Sequence, residues 1–219
     1  MFQEIKIEHD GLTLEGHLSS MENLKAWVIF AHGSGSSRKS PRNNWIAQEL
    51  NKKGYGTFLF DLLTPEEDRI YENRFDIPLL AERLLTATAW LMNSQFYTGL
   101  PIAYFGASTG GGAALIAAAR SPESWPIYTV VSRGGRPDLA GKFLKDVRAP
   151  VLLLVGSLDL QVIELNQLAG NELKNVKLTL VEGATHLFEE PGKLAEVLHL
   201  TITWLDLQLP EEEELRWTP

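Results

Sequence analysis

Along most of the chain, apolar residues come in short, nearly unbroken runs separated by segments with apolar positions at helical spacing. The start is different. Residues 4–9 and 12–18 alternate polar and apolar on either side of Asp10-Gly11, which predicts an antiparallel hairpin closed by a two-residue turn. From residue 26 onward the runs are AWVIFAH (26–32), GTFLFD (56–61), PIAYFG (101–106), PIYTVVS (126–132) and PVLLLVG (150–156). LTLVEG (178–183) is a weaker, more alternating sixth. Such runs read as strands covered on both faces, the mark of a parallel sheet enclosed by helices.

Helical segments fall between them, over 41–52, 77–93, 109–120, 138–146, 160–173 and 191–207. The first opens on Ser40-Pro41, a cap followed by proline at the first helical position. The second carries Leu79, Leu80, Arg83, Leu84 and Ala87 at helical spacing, and the third is rich in alanine. The alternation predicts an α/β domain over residues 1–208, with about eight strands in a mostly parallel sheet and about six flanking helices. The link from Ser132 to Asp159 has room for one helix and one strand, so no large cap domain is expected. Residues 209–219, with Glu211, Glu212, Glu213 and Glu214, read as an acidic tail, because blocks of like charge repel and rarely pack.

Composition narrows the function classes. The 219 residues, 44% hydrophobic and 22% charged, suit one globular domain with its own core. A net charge of −8 repels phosphate backbones, so nucleic acid is not an expected partner. There is no cysteine, which removes thiol nucleophiles, disulfides and Cys-type metal sites. The opening MFQEIKIEHDG lacks the apolar core of a secretory signal. No apolar run approaches the roughly 18 residues of a membrane span. A cytoplasmic location with no membrane partner is the expectation.

Candidate chemistry follows the ends of the apolar runs, where open α/β sheets place their ligands. Gly106-Ala107-Ser108-Thr109-Gly110 leaves the run PIAYF and enters TGGGAALIAAAR. A strand–turn–helix setting with small flanking residues is what a sharp nucleophile turn on Ser108 requires. A plain Gly/Ser-rich connection or a nucleotide loop fits less well, since G-x-G-x-x-G spacing and G-K-[ST] are both missing. His32-Gly33-Ser34-Gly35 follows the first apolar run. Its Gly-rich turn can aim the Ser34 N–H at an oxyanion, with the Thr109 N–H as second donor.

Asp159 follows the run 150–156 and His186 follows 178–183. Serine, acid, histidine in that chain order suits nucleophile, orienting acid and general base. Asp138, after the run 126–132, is a second candidate for the acid. Arg133 and Arg136 in RGGRPD lie by the same strand end. They either hold their loop, Arg136 through Asp138, or bind an anionic substrate group, as guanidinium forks do. His32 and Gly33 are further substrate-contact candidates, although His32 reads first as a residue that shapes its loop. His9, His17 and His199 read as structural or surface residues, and no group of His, Asp and Glu has metal-ligand spacing.

On HGSGSSRKSPRN (32–43), FGASTGGGAAL (105–115), VSRGGRPDLA (131–140) and GATHLFEEPG (183–192), the chain resembles the α/β-hydrolase superfamily. Within it, the resemblance is to the dienelactone-hydrolase-like group and runs through nearly the whole chain. It implies hydrolysis of an ester, thioester or lactone, with nucleophile, acid and base on Ser108, Asp159 and His186 and with no cofactor. Serine stands where true dienelactone hydrolases carry cysteine, so dienelactone is not the implied substrate. The alternative is a ligand-binding or receptor-like module that retains the three residues with little turnover. With no cap the site should be open unless a second copy of the chain covers it, which makes a homodimer the assembly to look for.

Overall fold

Four of the apolar runs form strands in which every residue is buried. These are β3 (Ala26–Ala31), β4 (Tyr55–Phe60), β5 (Ile102–Ala107) and β7 (Val151–Gly156). The computed structural model describes residues 1–211. From residue 212 the expected acidic tail lies outside the described residues. The remaining strands are β1 (Phe2–His9), β2 (Leu12–Ser19), β6 (Ile127–Arg133) and β8 (Val176–Val181). Helices are α1 (Pro41–Lys52), a single turn α2 (Pro65–Asp68), α3 (Ile77–Met92), α4 (Thr109–Arg120), α5 (Leu160–Gly170) and α6 (Lys193–Gln208).

The eight strands form one sheet in the order β1-β2-β4-β3-β5-β6-β7-β8. β1, β2 and β4 pair antiparallel, and every pair from β4 through β3 to β8 is parallel. Asp10 and Gly11 both take positive φ, 47° and 77°, the conformation that matches a two-residue hairpin turn to strand twist. Apolar residues of α1 and α6 pack on one face of the sheet, and those of α3, α4 and α5 on the other. Because the parallel strands run the same way, the turns after β3, β5, β6, β7 and β8 emerge along one edge.

Two segments differ from the sequence expectation. Residues 137–146 form 3₁₀ turns rather than one helix, because Gly141 at φ 50° interrupts them. Residues 61–76, outside every strand and helix that the apolar pattern predicts apart from Asp61, contain α2 and a 3₁₀ turn (Tyr71–Phe75). α2 is held by a capping box in which Thr64 and Glu67 satisfy each other's backbone N–H. Too few residues lie in either for an apolar period to show.

Candidate active site

Ser108 lies between β5 and α4 with φ 51° and ψ −124°, a conformation rare for a residue with a Cβ. The turn closes only because its neighbours are glycines. A Cβ on Gly106 would come 2.5 Å from the Gly110 oxygen, and one on Gly110 would come 2.1 Å from the Ala31 oxygen. Ser108 donates its N–H to the Arg133 oxygen at 3.3 Å, and the Arg136 N–H donates to the Ser108 oxygen at 3.0 Å. The nucleophile candidate is therefore fixed from β6 as well as from its own strand.

Asp159 and His186, 27 residues apart, meet: His186 Nδ1 lies 2.7 Å from Asp159 Oδ2. Asp159 occupies the N-cap of α5, yet its side chain makes no capping bond and is left for the imidazole. The two loops are sewn together behind them. Leu158 N–H donates to the Ala184 oxygen at 3.0 Å, and Gly183 N–H to Ser157 Oγ at 2.8 Å. The 185–190 loop is closed by Glu190, whose Oε1 accepts from the Thr185 N–H at 3.1 Å. Gly134 brings this loop to Ser108: a Cβ there would be 2.9 Å from the His186 oxygen and 3.6 Å from His186 Cε1. Among the described residues no hydrogen bond yet joins Ser108 Oγ to His186, a contact that commonly tightens only with substrate bound.

Of the two oxyanion donors expected, the Thr109 N–H is at the first position of α4, where helix geometry provides no internal acceptor. The Ser34 N–H is already engaged, donating to Thr109 Oγ1 at 2.8 Å. An incoming oxyanion would have to share or take that proton. Gly33 packs against the nucleophile, since a Cβ there would meet Ser108 Cβ at 3.0 Å.

His32 has no ring nitrogen free for a substrate. Its Nε2 accepts the Leu62 N–H at 3.0 Å, which places the proton on Nδ1, and that group donates to the Gly33 oxygen at 2.9 Å. Burial holds its pKa below 6.5, so it is a neutral strut between the β3 and β4 loops. Arg136 is likewise engaged, gripping Asp138 with two bonds of 2.8 and 2.7 Å. That pairing leaves Asp138 turned to its own loop and Asp159 as the carboxylate on the histidine. Arg133 stays apart from both.

A family model described as an alpha/beta hydrolase domain matches residues 24–201. The chain belongs to that family. This α/β-hydrolase is similar to a dienelactone hydrolase from Anabaena variabilis, with 46% identity and a TM-score of 0.90 over 96% of this chain and 99% of that one. It shares its fold with Est1E from Butyrivibrio proteoclasticus, at 18% identity and a TM-score of 0.79 over 94% and 98% of the two chains. A Mycobacterium tuberculosis (strain H37Rv) protein provisionally named phosphoribosyl transferase is 51% identical over 203 residues. Those residues are 92% of this hydrolase-family chain but 45% of that protein, so the chain spans less than half the length of that relative. No helix among the described residues is long and apolar enough to cross a membrane.

Sequence reasoning did not find Glu190, Ser157 or the Thr109 hydroxyl. Glu190 had a signal in its own motif, GATHLFEEPG, where an acid five residues past Thr185 can reach back to a backbone N–H. The other two bond across 26 and 75 residues, a separation that local spacing does not encode.

Proposed function

We propose that the chain is a serine hydrolase acting on a carboxylic ester, thioester or lactone. The observation that carries the reading is the 2.7 Å contact between His186 Nδ1 and Asp159 Oδ2, made beside a serine on a strained strand-to-helix turn. Asp159 keeps the Nδ1 proton in place, which leaves Nε2 free to accept one. Ser108 Oγ would attack the acyl carbon as His186 takes its proton. The resulting oxyanion would be met by the Thr109 N–H and, once released from Thr109 Oγ1, the Ser34 N–H. His186 then gives the proton to the leaving alcohol or thiol. Water, deprotonated by the same histidine, cleaves the acyl-enzyme and regenerates Ser108.

The name of the mycobacterial relative belongs to a protein of which this chain matches 45%. A serine–histidine–aspartate arrangement is suited to acyl transfer, so hydrolysis is the reading preferred for this part. A panel of activated esters, thioesters and lactones, assayed on wild type, Ser108→Ala, Asp159→Asn and Asp138→Asn, tests it. Steady multiple turnover is expected on at least one member, falling by a factor on the order of 10⁶ in Ser108→Ala. Asp159→Asn should be far more damaging than Asp138→Asn. A fluorophosphonate should label Ser108 alone; labelling that persists in Ser108→Ala would refute the nucleophile.

A further inference from the structure

β6 ends on a cation that has no side-chain partner among the described residues. Arg133 is only 8% exposed. Its Nε and Nη1 have neither solvent nor an acceptor among the described residues, and of the three guanidinium nitrogens Nη2 alone is not sealed in this way. The strand fixes where the side chain goes. Val131 packs in the α1–α6 layer with Phe105 and Phe188, and residues two apart share a face. Arg133 therefore rises into the top of that layer, level with Ala107 in the pairing of β5 with β6.

Arg42, in the first turn of α1, is near enough for its charge to act on Arg133. Its Nε is also buried and unpaired, while its Nη1 holds Glu189 of the histidine loop. Burial and the Arg42 guanidinium together push the pKa of Arg133 down to about 10, so at neutral pH it remains a cation with another cation for its charged neighbour. A buried charge is costly unless opposite charge meets it, and the unsealed Nη2 can donate a charge-assisted hydrogen bond to an oxygen of a carboxylate or phosphate.

We propose that Arg133, with Arg42 beside it, forms a subsite for an anionic oxygen group, carboxylate or phosphate, carried by the substrate of the Ser108 centre. The proposal rests on the hydrolase reading and deepens it. Arg133 is placed for this: its own carbonyl holds the Ser108 N–H, and the loop above it carries the catalytic base candidate. Arg136, already bound to Asp138, is not part of the subsite.

Two measurements test it, one without turnover. Melting of wild type, Ser108→Ala and Arg133→Met is followed in sodium phosphate, sodium benzoate and sodium chloride at equal ionic strength. Phosphate or benzoate should raise Tm above chloride in wild type and Ser108→Ala but not in Arg133→Met, and the anion with the larger rise identifies the preferred group. Arg133→Met in chloride should melt no lower than wild type, since it removes an unpaired buried charge. The second measurement is kcat/KM for a neutral ester and its carboxylate- and phosphate-bearing analogues. Arg133→Met should lose roughly 10- to 100-fold on an anionic member and little on the neutral one, with a smaller selective loss in Arg42→Gln. Equal loss on all esters, or no anion-specific rise in wild type, overturns the subsite. Esterase activity surviving in Ser108→Ala would instead strike the nucleophile, leaving the melting result to decide Arg133 by itself.

Discussion

Ser108 holds a backbone conformation that costs about 1–3 kcal/mol for a residue with a side chain. Glycine adopts it freely, at some entropic loss from a looser unfolded chain. Ser108→Gly should therefore melt above Ser108→Ala, by about 2–4 °C per kcal/mol in a chain of this size. Calorimetry of the two variants checks this, and a glycine variant that melts lower would show the turn to be unstrained. His32 makes a second prediction through protons. Burial lowers its folded pKa from 6.5, so below about that pH the unfolded chain binds a proton that the folded one refuses. Stability is then complete above pH 6.5 and is lost as pH falls toward the folded value. His17, lowered by burial and by Arg38, adds in the same direction. The fall in Tm from pH 7 to 5 should be shallower in His32→Gln; an unchanged slope would refute the assignment. Ser108 and His186 were legible in the sequence because strand ends and chain order place them. The neutrality of His32 was not, because it depends on the burial that the folded chain imposes, with Leu62, thirty residues away, donating to its ring.

At the scale of elements, the six apolar runs each became a strand, with ends shifted by a residue or two. Continuous burial leaves a composition signal that survives in one sequence. The 3₁₀ segments and α2 left none, being short and held by caps and glycine breaks rather than by an apolar stripe. α4 shows what the glycines of TGGGAAL are for. Gly110 lets the helix start against the backbone of β3, and a methyl there would lie 2.1 Å from the Ala31 oxygen. Backbone cannot swing aside as a side chain can, so Gly110→Ala should destabilise by about 1–3 kcal/mol or more. It should also reduce activity in the fraction that stays folded, because α4 carries the Thr109 N–H. A denaturation midpoint equal to wild type would contradict this packing.

For the molecule as a whole, the sequence conveyed the strand count and the parallel core, but the placement of β4 between β2 and β3 had no local signature. That order puts β5, and with it Ser108, inside the sheet, while β8 forms an edge paired only with β7. β8 is also the least enclosed of the parallel strands, with one fully buried residue of its six. The histidine thus hangs from the margin and the serine from the middle. Segments with few buried contacts open at lower free energy than the core they adjoin. On warming, the imidazole should leave its partners while the sheet is still whole. Heat inactivation would then have a midpoint below that of global melting and would reverse on cooling. Assaying at each temperature alongside far-UV circular dichroism gives the comparison; coincident curves would mean that the margin is as firm as the centre. An enzyme built this way would lose its catalytic power to heat before it lost its shape.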